Sequence, residues 1–340
     1  MTENERVSEL EAVIARYRRF AEEEAPGRST LYEQWAHAVH TAPELASVLA
    51  RIPATHRQPP LVFAVSRLLG APETEGEEWG AWVLTHADVL VAESAARSVQ
   101  TNEPGRCAAL LPALSQIEGP IALLEIGASA GLCLYPDRYS YRYVADTGRT
   151  RRLDPIAGPA PVVLSSDWSG PDAGLRIPTV VWRAGIDLHP LDARSAGDRR
   201  WLTGLVWPGE SGRRERIDAA LDMAAEEPPI LRAADAAAPG VIAELALAAP
   251  PDATLVVTTP GVLAHVPWEG RRRIIDAARA SGRWITIDAP RLHDGWSGPI
   301  DEAAWPKGRF ALALDGEVLA AVDPLGAAVE WRPAAAGTLG

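Results

Sequence analysis

The chain has 340 residues, of which 47% are hydrophobic and 23% charged, a composition that excludes fibrous and globally disordered proteins. Its net charge of −12 repels a phosphate backbone, so we expect no nucleic-acid partner. No apolar run is long enough to span a bilayer, the amino terminus is polar, and the two cysteines fit a reducing compartment, so we expect a cytoplasmic protein without a membrane partner.

The first hundred residues have the periodicity of helices. Between Val7 and Glu24, apolar residues recur at three- and four-residue steps, as they do along one face of a helix. Ser29 can cap a second helix, and further helical stretches continue to Val99. We therefore predict an all-helical N-terminal domain over about residues 1–118, which would act as a lid and select the substrate.

The pattern changes at residue 121, where short β-branched or apolar runs begin to alternate with helical segments. This alternation is typical of a mostly parallel sheet covered by helices. The predicted strands are Ile121–Ile126, Thr179–Ala184, Ile230–Ala233, Thr254–Thr259 and Trp284–Asp288. Helices are predicted over 214–225 and 268–281. Near the end, two apolar runs flank Asp315-Gly316-Glu317 and predict a C-terminal β-hairpin.

One segment, about residues 139–178, interrupts this order. It contains two possible short strands, Tyr139–Val144 and Val162–Leu164, and is rich in Gly, Pro and Asp beyond Gly148. We interpret it as an inserted loop or hairpin within an α/β domain that covers 119–340. Five crossover strands followed by an antiparallel pair make this domain similar to the class I methyltransferase fold, a Rossmann-type sheet.

The strongest local signal is the turn after the first predicted strand. The strand ends in Glu125, and small residues follow at Gly127, Ala128, Ser129 and Gly131, so that the backbone can approach a ligand before a helix begins. This turn resembles that of class I methyltransferases. The resemblance implies that the acidic residue holds the amino-acid part of S-adenosyl-L-methionine and that the small residues border its carboxypropyl chain. Ser129 favours such a phosphate-free cofactor over a dinucleotide.

The same turn permits a second interpretation, because its residues spell Gly-x-Ser-x-Gly, the sequence of a hydrolase nucleophile elbow. That elbow normally follows several strands, whereas this strand is the first one predicted. A nucleophilic Ser129 is therefore the weaker alternative.

Carboxylates at the ends of the next strands are candidates for binding the nucleoside. Asp187 follows a clear strand, whereas Asp146 follows a weaker one but lies at a more usual distance from Gly131. We favour Asp187 as the residue that accepts the ribose hydroxyl hydrogens, and Asp235 occupies the place where such folds contact adenine. Each of them can instead be a loop carboxylate that accepts a backbone N–H.

The end of the fourth predicted strand and two histidines supply the remaining candidates. In open α/β sheets the carboxyl ends of strands line the ligand crevice, so Thr258 would border the cofactor and Thr259 the reacting groups. His265 and His189 are candidate bases because the reference pKa of histidine lies near neutrality. A lone histidine is more often structural. The seven histidines show no metal-ligand spacing, so we expect no metal site.

A polar cluster, Gln100–Arg106, precedes the first strand. Thr101 or Asn102 can cap the next helix. Alternatively, Asn102, Glu103 and Arg106 project into the crevice together with Tyr139, and Arg106 fixes a carboxylate of cofactor or substrate.

Several motifs together resemble the bacterial family known as domain of unknown function 2332, over nearly the whole chain. They are Gln100-Thr101-Asn102-Glu103, Leu124-Glu125-Ile126-Gly127-Ala128-Ser129-Ala130-Gly131-Leu132, Asp137-Arg138-Tyr139, Gly185-Ile186-Asp187, Pro190-Leu191-Asp192, Trp201-Leu202 and Trp207-Pro208. Two positions depart from the pattern: Cys133 replaces an expected asparagine, and Thr258 an expected histidine. The resemblance implies an architecture and a site, and it names no reaction.

The leading hypothesis is therefore transfer of a methyl group from S-adenosyl-L-methionine to a small molecule, with catalysis coming largely from positioning. A non-catalytic ligand sensor with the same fold is the second hypothesis, because no base is obvious. The third is an NAD(P)-dependent oxidoreductase. Its weaknesses are Ser129 and the lack of a Tyr-x-x-x-Lys pair, since Lys307 is the only lysine.

Overall fold

A computed structural model of the chain describes residues 3–100 and 102–332. The chain divides into two compact units, one formed by 1–101 with 194–218 and the other by 102–193 with 219–340. Within the described residues, no helix is both long and apolar enough to cross a membrane.

The helices and strands follow one another as the periodicities predict, with several additions. The helices are α1 (Glu3–Arg19), α2 (Thr30–Thr41), α3 (Pro43–Ala50), α4 (Pro59–Leu68), α5 (Gly76–Thr85), α6 (Ala87–Ala96), α7 (Arg106–Leu114), α8 (Ala196–Gly204), α9 (Arg213–Glu226), α10 (Val241–Ala246) and α11 (Trp268–Ser281). The strands are β1 (Pro120–Ile126), β2 (Ser140–Ala145), β3 (Thr150–Leu153), β4 (Val163–Ser169), β5 (Thr179–Asp187), β6 (Ile230–Ala233), β7 (Thr254–Pro260), β8 (Arg283–Asp288), β9 (Phe310–Leu314), β10 (Glu317–Val322) and β11 (Ala328–Trp331).

Helices α1 to α6 and α8 build the first unit around an aromatic core. Trp35 stacks on Trp79 with ring centroids 4.9 Å apart, and Phe63 meets Trp35 edge-on at 5.5 Å. Trp207 packs against Phe20 at 5.2 Å. This contact explains why 194–218 belongs to the first unit, although in the chain it lies between two strands of the sheet.

The boundary between the units lies near residue 101, earlier than the 118 expected from the sequence. The predicted boundary at residue 118 assigns helix α7 to the N-terminal helical domain. In the structure α7 packs against β4, β8 and β9 of the second unit, because its buried residues cover the sheet. Ser29 caps α2 as predicted, since the Tyr32 backbone N–H donates to its Oγ at 3.3 Å.

The second unit contains one open sheet of eleven strands in the order β3-β2-β4-β11-β10-β9-β8-β7-β1-β5-β6. The five predicted crossover strands are confirmed, and they lie side by side and parallel as β6-β5-β1-β7-β8. The predicted hairpin is confirmed as β9 and β10. Asp315 and Gly316 at its tip have φ values of 54° and 90°, which suit a tight hairpin turn.

The segment 139–178, predicted to be an inserted loop or hairpin, contains a hairpin in which β2 and β3 pair antiparallel, but it is not separate from the sheet. Its strands β2, β3 and β4 extend the sheet, with β4 paired to β11. Tyr141 and Tyr143 lie two positions apart on β2, and therefore on the same face. They are 0% and 2% exposed, so this face of the strand is part of the core. Pairing with β4 also covers the edge that β11 would otherwise expose.

The two faces of the parallel strands bury different residues. Leu124, Ile126 and Val257 belong to a cluster that also contains residues of α10 and α11. Because side chains alternate along a strand, Glu125 and Thr258 lie on the opposite face, and the register pairs them across β1 and β7. The polar residues of these strands are thereby divided between two faces.

Close neighbouring side chains make Gly185 of β5 sensitive to substitution. A Cβ at this position would overlap the Ala128 side chain and lie 3.0 Å from Leu231 Cδ2. We expect Gly185→Ala to lower the free energy of unfolding by about 1–3 kcal/mol through overpacking. Gly204→Ala is the matched control, because no atom lies within 4 Å of its Cβ position. Urea unfolding measures both changes, and equal midpoints for the two variants would contradict this packing.

Candidate functional site

The turn after β1 occupies the position where ligands bind in open α/β sheets. Counted in chain order, the five parallel strands are arranged 3-2-1-4-5, so the order reverses between β1 and β7. A crevice forms at the carboxyl ends of strands at such a reversal. Gly127, Ser129 and Gly131 have φ values of 75°, 50° and 75°, so the turn is built on left-handed residues, one of which is not glycine.

The backbone amides of this turn are all bonded within the chain. Gly127 and Ala128 donate to Ile186 O at 2.8 and 3.3 Å, and Gly131 donates to Ala128 O at 2.7 Å. Ser129 N donates to a carboxylate of β5, and Ala130 N donates to a side-chain amide oxygen at 3.3 Å. These amides are therefore not available to hold an anionic ligand.

No long helix follows the turn, and that part of the prediction is wrong. Leu132–Leu134 form a three-residue 3-10 helix, so there is no extended helix dipole directed at a ligand. The small residues also have a packing role. A Cβ on Gly127 would overlap the Val262 side chain, and one on Gly131 would lie 2.9 Å from Pro229 Cγ.

Asn102 binds the turn directly. Its Nδ2 donates to Ser129 Oγ, and its Oδ1 accepts the Ala130 N–H. The structure gives Asn102 this role instead of the predicted helix cap, because α7 begins at Arg106 with Gly105 before it and no side-chain cap. Thr101, the alternative cap, lies outside the described residues.

Ser129 is 4% exposed and accepts this hydrogen bond from the Asn102 amide. A serine nucleophile has to direct its oxygen at a substrate and transfer its proton to a base. The burial and the amide donor favour a structural role for Ser129, which fixes the turn.

Glu103 is buried beside the same turn. Its Oε1 accepts the Gly105 N–H at 2.9 Å, and its backbone oxygen accepts from Cys133 Sγ at 3.5 Å. Cys107 Sγ in turn donates to Cys133 O at 3.5 Å. Two buried thiols thus join the start of α7 to the end of the glycine turn.

The side chain of Glu125 lies in the interior, and 3% of the residue is exposed. Its Oε2 has no hydrogen-bond partner within the part of the chain that the structure describes. Burial raises the pKa of this carboxyl well above its ordinary value of 4.5, Cys133 and Asp187 add to the rise, and the Arg106 guanidinium opposes it. A buried acid with an unsatisfied oxygen is a feature that ligand sites often contain.

Arg106 lies at the carboxyl end of β7, which is the edge of the sheet where a ligand crevice is predicted. Its Nη1 donates to Pro260 O at 2.9 Å, and its Nε donates to Pro324 O at 3.1 Å. The guanidinium is half-buried, and its charge favours the ionised forms of both Glu125 and Asp288. Arg106 therefore acts electrostatically on both buried acids, and at Asp288 the effect of His293 is larger.

Of the two ribose candidates, only Asp187 lies at the turn. It ends β5, where its Oδ2 accepts the Ser129 N–H and its Oδ1 accepts the His189 N–H, both at 2.8 Å. A carboxylate accepts about four hydrogen bonds, so both oxygens retain acceptor capacity. Asp146 lies in the exposed turn between β2 and β3, and seven positions in the strand order separate β2 from β1.

Three other predicted residues lie at the surface of the second unit. Asp235 follows β6 and accepts the Ala237 N–H at 2.8 Å, which is the loop role considered as its alternative. His189 is exposed two positions after Asp187, and His265 is exposed at the end of a short 3-10 helix. Both histidines are thus exposed, whereas a catalytic base is commonly oriented by buried hydrogen bonds.

The side chains of Thr258 and Thr259 lie on opposite faces of the sheet. Thr258 is 2% exposed and lies beside Glu125 in the register. Thr259 accepts from Trp284 Nε1 at 3.0 Å and donates to Thr286 Oγ1 at 2.8 Å on the other face. The structure therefore brings Thr258, but not Thr259, to the buried acid of β1.

Sequence reasoning missed a buried acid at the end of β8. Asp288 accepts from Thr286 Oγ1, and its Oδ2 lies 3.4 Å from His293 Nε2. Burial raises its pKa above the ordinary value of 3.8, while His293, Thr286 and Arg106 oppose the rise. Its Oδ1 has no hydrogen-bond partner among the described residues. The signal was available, because Asp288 ends the predicted strand Trp284–Asp288, much as Glu125 lies at the end of the first predicted strand.

Tyr139 was expected to line the pocket, and the structure places it in the core instead. It is 0% exposed, and its hydroxyl donates to Leu132 O at 2.7 Å. Burial raises its pKa well above 10.0. The ring supports the residues that follow the glycine turn.

Comparison with known proteins identifies a family without an assigned activity. The sequence profile described as "Uncharacterized protein conserved in bacteria (DUF2332)" matches residues 14–331. No curated protein matches the chain.

The buried Glu125 makes stability depend on pH. Its pKa is higher in the folded than in the unfolded state, so folding takes up a proton and stability falls as pH rises from the unfolded value of 4.5 towards the folded one. We expect Glu125→Gln to unfold at higher urea concentration than the parent at neutral pH, with the difference disappearing below about pH 4. Glu118→Gln, at an exposed site, is the control for the loss of one negative charge. A pH profile of Glu125→Gln identical to the parent's would refute the assignment.

The Asn102 side chain is predicted to stabilise the turn. Asn102→Ala leaves the Ala130 N–H without its partner, so we expect a loss of about 1–3 kcal/mol in the free energy of unfolding. In a Ser129→Gly background the loss should be smaller, because glycine tolerates the left-handed conformation and has no Oγ to pair. A double-mutant cycle in urea measures this coupling, and strict additivity would contradict it.

Proposed function

The chain belongs to the DUF2332 family of uncharacterized proteins conserved in bacteria, and we propose that it binds S-adenosyl-L-methionine and transfers its methyl group to a small molecule. The observation that carries the proposal is the Asp187 carboxylate, which two backbone N–H groups fix beside the glycine turn. The parallel strand order 3-2-1-4-5, which is that of doubly wound nucleotide-binding sheets, supports it.

The side chains at the carboxyl ends of β1 and β5 fit this cofactor in two places. Asp187 retains acceptor capacity on both oxygens, which matches the two adjacent hydroxyl groups of a ribose. Glu125 has an oxygen without a partner among the described residues, and a cationic ammonium group near it would favour its ionised form. Asp235, already bonded to Ala237 N, contributes less to this fit.

The bonded amides of the turn favour this ligand over a dinucleotide. A pyrophosphate binds at free N–H groups and at the start of a helix. Residues 127–131 use their N–H groups internally, and only a 3-10 helix of three residues follows. S-adenosyl-L-methionine carries no phosphate, so it requires neither feature.

When bound, S-adenosyl-L-methionine supplies a methyl group made electrophilic by its sulfonium charge. The residues of this chain would act by orientation. Asp187 would hold the nucleoside and Glu125 the amino-acid part, while the rigid turn between them sets their separation.

A non-catalytic ligand-binding protein is the second candidate, and specific observations favour it. His189 and His265 are exposed, and Thr259 lies on the other face of the sheet. A methyl acceptor that needs deprotonation would therefore find no buried histidine among the predicted bases. Acceptors that react without a base remain compatible with methyl transfer.

Calorimetric titration with S-adenosylhomocysteine, S-adenosyl-L-methionine and NADPH tests the proposal. We expect both sulfur ligands to bind and Asp187→Asn to weaken that binding by about tenfold or more, because it removes a charged acceptor. Asp252→Asn is the matched control, since this exposed aspartate precedes β7 at the other end of the strand.

The outcomes separate the hypotheses. If neither sulfur ligand binds the parent protein, both the methyltransferase and the sensor of this cofactor are refuted, and binding of NADPH alone would favour the oxidoreductase. If the sulfur ligands bind, methyl transfer to a panel of small acceptors distinguishes the enzyme from the sensor.

A further inference from the structure

A large groove lies on the surface of the first unit, and none of its lining residues belongs to the cofactor site proposed in the second unit. Its volume is about 1150 Å³, and it is bordered by α2, α3, α5 and the π-helical turn Phe20–Glu24. Apolar side chains line much of it, among them Ala38, Leu45, Ala81 and Leu84. No side chain of the described part of this unit fills it.

The charge of the groove is one-sided. Five carboxylates line it, namely Glu22, Glu33, Glu44, Glu75 and Glu77, and no arginine or lysine lines it. None of the five forms an ion pair with any described residue. Like charges around one concave surface focus a negative potential there and raise the local concentration of cations.

Elsewhere in the same unit, carboxylates are paired with arginine. Glu24 lies 2.7 Å from Arg16, Glu73 lies 2.9 Å from Arg67, and Glu210 lies 2.7 Å from Arg28. The unit therefore has arginines that neutralise acids on its other surfaces. The groove differs from these surfaces because five carboxylates without such a pair among the described residues converge on one concave surface.

His40 does not compensate the charge of the groove. His37 and His40 lie on α2 with ring centroids 4.7 Å apart. Burial and the neighbouring His37 lower the pKa of His40 below its ordinary value of 6.5, with Arg18 adding to the effect and Glu22 opposing it. His40 therefore remains uncharged at neutral pH.

The combination of an apolar floor and an acidic rim identifies the chemistry of a ligand. We propose that this groove binds an aliphatic polyamine, whose ammonium groups meet the carboxylates while its methylene segments cover the apolar floor. Methylene groups gain free energy from burial on such a floor, and ammonium groups are strong donors to carboxylates.

A metal ion fits the groove less well. Among the described residues, no group of three or more His, Cys, Asp or Glu side chains is arranged to hold a metal. The carboxylates are instead distributed along the groove on three helices and the π-helical turn. A chain of separated positive charges matches this distribution, whereas one compact ion does not.

Calorimetric titration of the full chain with spermidine tests the proposal. The test variant carries Glu33→Gln, Glu44→Gln and Glu77→Gln, and the control variant carries Glu11→Gln, Glu23→Gln and Glu78→Gln. The control residues are exposed on the same unit but do not line the groove, so both variants change the net charge equally. We expect the test variant to bind spermidine about tenfold more weakly than the parent, and the control variant within about threefold of it.

Each outcome decides the question. Equal weakening in the two variants would mean that spermidine responds only to the net charge of the chain, and would overturn the proposal. Failure of the parent to bind spermidine would overturn it too, even if a basic peptide binds. Thermal unfolding of both variants verifies that they fold. The result is independent of the cofactor proposal, because Asp187→Asn should leave spermidine binding unchanged.

Discussion

The hydrogen bond from the Ser129 amide to Asp187 Oδ2 ties the turn after β1 to the end of β5, and the geometry of the candidate site depends on it. Ser129 has a φ of 50°, a conformation that costs a non-glycine residue about 1–2 kcal/mol. The bond to Asp187 and the contacts with Asn102 offset this cost. Because the same carboxylate also accepts the His189 N–H, Asp187 has one fixed orientation.

These hydrogen bonds change which ligand groups the glycine turn can bind. A turn with free amides attracts anions, whereas this one has its amides bonded and offers carboxylate oxygens instead. Asp187 and Glu125 make the ends of β5 and β1 acceptor-rich. Such a surface suits hydroxyl and ammonium groups, which is why the proposed ligand is one without phosphate.

Buried acids are the second constraint on the sheet. Glu125 and Asp288 each have an oxygen without a partner among the described residues, and burial raises both pKa values. Arg106 acts on both acids, yet its hydrogen bonds go to the carbonyls of Pro260 and Pro324. Leaving acceptors unsatisfied in the interior costs free energy, so these two acids lower the stability of the fold.

The sequence by itself determined the parts of this protein that arise from short-range patterns. The five parallel strands, the terminal hairpin, the cap at Ser29 and the carboxylate of Asp187 at a strand end follow from periodicity and residue type within a few positions. Glu125 was also identified in this way, because a strand end and the turn after it are adjacent in the chain.

Only the tertiary structure decided which of these residues meet. Asn102 contacts Ser129 across 27 positions and Asp187 contacts Ser129 across 58, and neither contact leaves a local signal. The strands of 139–178 join the sheet because β4 pairs with β11, which lies near the other end of the chain. The acidic groove likewise exists only where separate helices bring their carboxylates together. Such pairings depend on packing between distant segments, so local periodicity cannot specify them.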